Sequence, residues 1–248
     1  MLVNTGLLAP DDRAYLRSIA LSAAGCGVTV RPVPLPSDCA PETLTDTLRI
    51  LSADDGVHGV LLLRPLPAAL RAQEILDTLD ARKDVDGMTT WSLGALVTGA
   101  AGFAPCTAEA CLHLLRAYGF DPAGRRVTVV GRSLVIGRPA ALLLTRADAT
   151  VTLCHRKTPD LAARCREADL LLAAAGAPGL ITRDFVRPGQ IVLDAGATAL
   201  PDGTLRGDVA PDAAAIAACT PVPGGIGSVT TALLLRHTVQ AAENLRHF

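Results

Sequence analysis

The sequence predicts an α/β fold of two domains built on parallel sheets, and three observations carry that expectation. Short β-branched or leucine-rich runs alternate with amphipathic segments along the whole chain. Two of those runs, 59–63 (GVLLL) and 127–130 (VTVV), are apolar or nearly so on both faces, as strands covered on both sides must be. Each half of the chain ends its strands in loops rich in glycine and proline, where such folds place their ligands.

Taken in order, Leu2, Val3 and Asn4 read as a short strand, and the turn at 9–12 (APDD) caps a helix over about 13–25. On that helix Tyr15 and Ile19 lie four apart, on one face. Gly25-Cys26-Gly27 ends it, and Val28-Thr29-Val30 is the next strand. Residues 32–36 read as a proline-rich loop, and 41–51 as a helix with the stripe Leu44, Leu48 and Leu51. The strand at 59–63 ends in the loop Arg64-Pro65-Leu66-Pro67. A helix over 68–79 leads to the polar loop Lys83-Asp84-Val85-Asp86-Gly87, whose Asp-Gly pair is by itself only a turn signal. Residues 99–105 form a loop of small residues, and Thr107 can cap a helix over 108–118.

Residues 126–139, RVTVVGRSLVIGRP, read as a strand, a glycine-bearing turn and the start of a helix. That order directs backbone N–H groups and the positive end of a helix dipole at a dinucleotide pyrophosphate. The spacing is G-x-S-x-x-x-G rather than G-x-G-x-x-G, so taken alone it fits an ordinary strand–helix turn equally well. The next strand, 150–153, ends in Cys154-His155-Arg156-Lys157. About 20 residues beyond its glycine turn a Rossmann unit meets the adenosine ribose, where a basic residue accommodates the 2′-phosphate of NADP. Arg156 together with Arg132 therefore argues for NADP, with solvated surface arginines as the alternative. Beyond this come a helix at 161–167, a strand at 169–174 running into Ala175-Gly176-Ala177, and a strand at 191–196. A polar loop at 207–209, a short helix at 211–218, the glycine-rich loop TPVPGGIG at 220–227 and a last helix at 228–245, capped by Ser228, complete the chain. Two sets of strands imply two domains with a cleft between them.

Composition narrows the functional classes. The 248 residues, half of them apolar, can bury one large or two modest cores. A net charge of −1 gives no electrostatic reason to expect nucleic acid or an anionic membrane as partner. The seven cysteines are odd in number, scattered and without a C-x-x-C pair, so they read as reduced core residues, and no metal site is expected. The first dozen residues lack a basic leader region and no apolar run reaches about 18 residues, so a cytoplasmic location is expected.

Eight segments, in order, resemble the bifunctional methylenetetrahydrofolate dehydrogenase/cyclohydrolase family. They are GVLLLRPLP (59–67), KDVDG (83–87), PCT (105–107), VVGRSLVIGRP (129–139), ATVTLCHRKT (149–158), ADLLLAAAGAPG (168–179), GDV (207–209) and TPVPGGIG (220–227). The resemblance implies a folate-binding domain over 1–107 joined by the C-terminal helix 229–248, a Rossmann-type NADP-binding domain over 108–228, and a homodimer formed through the latter. The implied activity is hydride transfer from 5,10-methylenetetrahydrofolate to NADP, giving the methenyl cation, which the family then hydrolyses to 10-formyltetrahydrofolate. The implied partner is a small tetrahydrofolate derivative, with neither nucleic acid nor membrane. By the same resemblance Tyr15 stacks on the folate ring, Asp86 anchors the pterin N–H edge, and Leu63, Pro65, Pro223, Gly224 and Gly225 complete the substrate site. Gly131, Arg132, Ser133, Ile136, His155, Arg156, Ala175, Gly176 and Thr198 are the implied cofactor residues.

The departures from the family pattern concentrate in the substrate half. The family carries Tyr-x-x-x-Lys on its early helix, and that lysine is its cyclohydrolase residue. Ile19 stands there, and no lysine precedes Lys83. The glutamine of the family's Q-L-P-L-P motif, which partners the lysine, aligns with Leu63. Met88-Thr89-Thr90 replaces phenylalanine-histidine-proline, Ser92 an asparagine, Ala108 and Ala110 the proline and glycine of P-C-T-P-x-G, and Ser228-Val229 a proline-methionine. Losing both polar partners avoids the roughly 1–3 kcal/mol that one buried, unpaired group costs. Hydride transfer needs chiefly the positioning of two rings, whereas hydrolysis of the methenyl cation needs a placed proton-transfer group worth about 10²–10⁴-fold. The expectation is a dehydrogenase with weak or absent cyclohydrolase activity. Leu63, Thr89, Thr90 and Ser92 keep open an oxidoreductase acting on another C–N compound, an imine or cyclic amine. A non-catalytic folate- or nucleotide-binding protein is the third reading, and the intact glycine turn speaks against it.

Overall fold

Parallel strands joined by helices do form two separate sheets. The computed structural model describes residues 2–6, 10–36, 38–64 and 66–245, and the chain divides into two compact units, Met1–Cys106 with Thr231–Phe248, and Thr107–Thr230. The first unit runs β1 (Leu2–Gly6), α1 (Pro10–Ala24), β2 (Val30–Pro34), α2 (Pro41–Ala53) and β3 (Gly59–Leu62). Its sheet has the order β2-β1-β3, all parallel, with Leu2 opposite both Val30 and Gly59. Every residue of β3 is buried, which is why that strand is apolar throughout. Residues 32–34 are not a loop: β2 pairs with β1 as far as Pro34, with Pro32 opposite Asn4. The missing proline N–H groups are tolerated because β2 is an edge strand.

Helix α1 buries Leu16, Ile19 and Ala23, and α2 buries Leu44, Leu48 and Leu51 along one stripe behind a proline in its first turn. The helix expected over 68–79 is instead a 3₁₀ turn, Ala68–Leu70, and a short α3 (Gln73–Leu76). Side chains there are drawn to partners outside any continuous helix: Arg71 Nε donates to the Leu66 carbonyl at 2.6 Å and Gln73 Nε2 to that of Met88 at 3.0 Å. α4 (Thr90–Thr98) is a helix that the sequence pattern did not mark.

The second unit opens with α5 (Cys106–Ala117), whose first residue is counted with the first unit. It continues with β4 (Arg126–Val130), α6 (Gly137–Arg146), β5 (Thr150–Cys154), α7 (Leu161–Glu167), β6 (Leu170–Ala173) and β7 (Ile191–Asp194). After the antiparallel ribbon β8 (Thr198–Ala199) and β9 (Leu205–Arg206) come α8 (Pro211–Ala214), β10 (Ala218–Cys219) and α9 (Ile226–Leu245), the last reaching into the first unit's residues. α8 stops short of the predicted 218 because the chain turns there to pair with β7. α9 starts at Ile226, so Ser228 lies inside it instead of capping it. The main sheet is parallel in the order β10-β7-β6-β4-β5, and chain direction across it reverses between β4 and β6. A doubly wound sheet binds ligands beyond the carboxyl ends of the strands at such a reversal.

Among the described residues no helix is long and apolar enough to cross a membrane, and no group of His, Cys, Asp and Glu is placed to hold a metal ion. None of the seven cysteines, all among the described residues, is in a disulfide, and Cys106, Cys111, Cys154 and Cys165 are buried.

Gln190 ties the end of α7 to the start of β7. It is 1% exposed, its Nε2 donates to the carbonyls of Cys165 and Ala168 at 2.8 Å each, and its Oε1 accepts from Arg187 N at 3.1 Å. Gln190→Leu keeps the volume and removes three hydrogen bonds, taking from the Arg187 N–H its acceptor while the Ala168 and Cys165 carbonyls keep Arg187 Nη2 and Ala168 N, so urea unfolding of the variant is expected to show a loss of about 1–3 kcal/mol. An unchanged midpoint would show that these bonds contribute nothing net.

Candidate functional site

In the first unit the segment 83–87 presents one carboxylate between two anchors. Lys83, 2% exposed, donates from Nζ to the carbonyls of Ser52 at 2.7 Å, Asp54 at 2.8 Å and Leu51 at 3.3 Å. These carbonyls end α2, where a cation complements the helix dipole. Burial lowers the Lys83 pKa, and the nearby carboxylates of Asp80, Asp55 and Asp54 oppose that. Asp84, also 2% exposed, accepts from Met88 N at 3.0 Å, Thr89 N at 2.7 Å and Ser92 Oγ at 2.7 Å, at the N-terminus of α4. Gly87 closes the turn with φ 65°, and a Cβ there would lie 2.5 Å from the Phe103 carbonyl oxygen. The Asp-Gly turn signal is thus satisfied and is also a close backbone approach.

Asp86 lies between the anchors and is half-buried. Its carboxyl is pushed up to about 6, first by desolvation and then by the charge of Asp84, while Arg64 and hydrogen bonds from Cys106 pull it back. The Cys106 thiol donates to the Val85 carbonyl at 3.3 Å, and His237 Nδ1 on α9 lies 2.9 Å from the same oxygen.

The remaining candidates of this unit divide. The side chain of Tyr15 and the whole of Pro65 lie outside the described residues. Ile19 is fully buried and Leu63 is 6% exposed, both in the apolar core. Thr89 and Ser92, which suggested an altered substrate face, are instead buried in the cap of α4, with Thr89 Oγ1 donating to Ser92 Oγ at 3.0 Å. Thr90 N donates to Asp77 Oδ1 at 2.7 Å. Sequence reasoning missed Arg64. It is half-buried, its Nε is buried with no hydrogen-bond partner among the described residues, and desolvation lowers its pKa against the opposing charges of Asp86 and Asp84. An arginine directly after an apolar parallel strand was the signal that could have found it.

In the second unit the turn after β4 touches the loop after β6 backbone to backbone. Gly131 has φ 122°, and a Cβ there would lie 2.0 Å from the Ala174 carbonyl oxygen; one on Gly137 would lie 2.0 Å from that of Gly131. The tight turn is closed by Ser133 Oγ accepting from Ile136 N at 3.1 Å and by Arg138 N donating to the Ser133 carbonyl at 3.0 Å. Arg132 and Ser133 are exposed and Ile136 half-buried at the start of α6. At the end of β5, Arg156 is exposed and His155 half-buried, its Nδ1 accepting from Lys157 N at 3.2 Å. Ala175 and Gly176 are exposed after β6. Thr198 is half-buried in the β8–β9 ribbon, and Pro223, Gly224 and Gly225 form the turn before α9. A turn held between two glycines, opening a ten-residue helix at the sheet's reversal, fits a dinucleotide pyrophosphate.

Two residues that shape this site went unread in the sequence. Asp208, in the polar loop at 207–209, is fully buried and accepts from the N–H groups of Ala175 at 2.6 Å, Gly176 at 3.0 Å and Ala177 at 2.7 Å. Asp194, 4% exposed, accepts in turn from Gly196 N and Asp208 N at 3.0 Å each and Val209 N at 2.9 Å. Burial raises the Asp194 pKa and those three N–H groups counter it.

Residues 6–86 match the catalytic domain of tetrahydrofolate dehydrogenase/cyclohydrolase, and residues 105–246 match its NAD(P)-binding domain. The chain is 49% identical over 241 residues to bifunctional protein FolD 1 of Rhodococcus jostii, covering 94% of this chain and 80% of that protein. Its structure resembles the bifunctional FolD methylenetetrahydrofolate dehydrogenase/cyclohydrolase of Campylobacter jejuni with a TM-score of 0.91 at 37% identity, covering 98% of this chain and 87% of that one. The FolD enzyme of Trypanosoma brucei, solved with NADP and an inhibitor, gives 0.90 at 34% identity over 98% of this chain and 86% of its own. With both domains matched in order, one on the unit that presents Asp86 and the other on the unit that holds the glycine turn, the chain belongs to the tetrahydrofolate dehydrogenase/cyclohydrolase family.

Proposed function

We propose that this chain is an NADP-dependent 5,10-methylenetetrahydrofolate dehydrogenase whose cyclohydrolase activity is weak or absent. The observation that carries the reading is the pair of buried aliphatic side chains, Ile19 and Leu63, where the family pattern has a lysine and a glutamine. NADP, when bound, supplies the hydride acceptor, so the dehydrogenase step asks of the protein only that it bind and orient. Gly131 and Gly137 let the turn pack backbone to backbone, which sets the N-terminus of α6 where its N–H groups can receive the pyrophosphate. Arg132 and Arg156 offer guanidinium groups to the 2′-phosphate, and Ser133, Ile136, His155, Ala175, Gly176 and Thr198 complete the cofactor's surroundings. Asp86 accepts from the pterin N–H edge, with Tyr15, Leu63 and Pro65 beside the same ring.

Hydrolysis makes a different demand. Water must add to the methenyl carbon while a side chain takes its proton, and neither Ile19 nor Leu63 can accept one. That loss is worth about 10²–10⁴-fold. The alternative of another C–N substrate loses much of its motive, because Thr89 and Ser92 are occupied in the cap of α4.

Purified protein mixed with NADP and methylenetetrahydrofolate is expected to accumulate NADPH and the methenyl species together, followed by their separate absorbance bands. The double variant Ile19→Lys, Leu63→Gln should then consume the methenyl species. Rapid loss of that band in the unaltered protein would refute the proposed deficiency. For the cofactor, Arg132→Ala with Arg156→Ala is expected to raise the KM for NADP roughly 10- to 100-fold and leave that for NAD within about twofold. Equal losses for both would place the arginines elsewhere.

The pH dependence follows from Asp86. With its carboxyl raised from 3.8 to about 6, the folded chain takes up a proton there at higher pH than the unfolded chain does. This group's contribution to stability therefore falls as pH rises from 3.8 to about 6, while binding of an N–H edge requires the ionised form above it. kcat/KM should drop along an acid limb near pH 6, by about tenfold per unit below it, and Asp86→Asn should flatten the profile at a lower level. A limb that survives in Asp86→Asn belongs to another group.

A further inference from the structure

We infer that Arg64 touches the substrate, its guanidinium donating to a carbonyl oxygen adjacent to the N–H edge that Asp86 receives, so that the two side chains together read a cyclic amide. The inference rests on the folate reading above and extends it to a residue that departs from the family's Q-L-P-L-P motif, in which leucine occupies the position.

Four observations converge. Arg64 directly follows the wholly buried segment that ends β3, at the carboxyl end of a parallel strand, where this fold class binds ligands. Its Nε is a buried donor without a partner among the described residues, and folded proteins leave few such groups unpaired. The opposing charges that act on it are Asp86 and Asp84, and Asp84 is already engaged by Met88, Thr89 and Ser92. The flanking Leu62, Leu63 and Leu66 are buried and apolar, so they offer the guanidinium no acceptor side chain. A planar, charged fork thus lies within reach of the charge of Asp86, and its Nε is left unused by the described protein groups. A cyclic amide has the complementary pattern, an N–H for the carboxylate next to a C=O for the guanidinium.

The competing explanation is that Arg64 only keeps Asp86 charged. The titratable and charged groups facing Asp86 are Asp84, Arg64 and Cys106, with His237 Nδ1 3.5 Å from the Cys106 sulfur. pH separates the two roles. Steady-state kinetics with NADP and methylenetetrahydrofolate are measured at pH 7 and pH 9 for the full chain, Arg64→Met and Arg64→Lys. Removing a hydrogen bond that ground and transition state share should raise the KM for methylenetetrahydrofolate in Arg64→Met roughly 10- to 100-fold at both pH values, with the change falling on KM and not on kcat. A deficit present at pH 7 and gone at pH 9 overturns direct recognition, because at pH 9 Asp86 is ionised without help. Arg64→Lys keeps the charge and loses the planar fork, so it should retain the acid limb with KM about tenfold higher. A KM equal to that of the unaltered protein overturns the inference, and this variant decides alone if Arg64→Met fails to fold. An unaltered protein that binds NADP yet forms no NADPH from methylenetetrahydrofolate is a failure of the folate reading itself, distinct from both outcomes.

Discussion

Three consecutive N–H groups converging on the Asp208 carboxylate fix the geometry on which the second unit's site depends. Hydrogen bonds to a buried carboxylate are short and strong, and three at once hold residues 175–177 in one conformation. That loop carries the carbonyl of Ala174 against Gly131, so the turn after β4 can take only one path and tolerates no Cβ. Asp208 is itself placed by Asp194, whose carboxylate takes the N–H groups of Asp208 and of the residue after it. The rigidity of the glycine turn therefore originates in two acids behind it, at the ends of segments far away in sequence.

The first unit solves a similar problem with opposite charges. Lys83 closes the C-terminus of one helix and Asp84 opens the N-terminus of another, each complementing the dipole it meets. Asp86 is suspended between these anchors, where burial and its acidic neighbour hold its proton affinity well above that of an ordinary carboxylate. The same short motif thus supplies both the scaffold and the group the scaffold presents. Ile19 is buried on α1 and Leu63 just beyond β3, while Asp86 and Arg64 act on one another electrostatically in the same unit.

Periodicity carried the reading wherever burial is continuous: the stripe of α2, the apolar β3 and the β4–turn–α6 passage were legible because each sequence pattern matches one buried face. It failed where a partner far along the chain decides. Pro32 and Pro34 look like loop residues until β1 pairs with them from one side only. α4 draws its first N–H groups to Asp84, to Asp77 and to the Thr89 side chain, and the two aspartates lie outside the helix's own pattern. Thr89 and Ser92 read as changes at the substrate face because their hydrogen-bond partners are invisible in a linear pattern. Asp194 and Asp208 were passed over for the same reason, since their partners are backbone groups that any sequence possesses.

The scarcity of lysine gives the anchoring of Lys83 a chemical consequence. The chain has two lysines, and the ammonium of Lys83 is locked under the end of α2 while Lys157 is exposed beside Arg156. A reagent that acylates lysine amines therefore finds one accessible lysine on the folded protein, just beyond β5 in the second unit, and the other becomes reactive only when α2 lets go. Labelling stoichiometry thus distinguishes the intact first unit from an opened one without any spectroscopic probe.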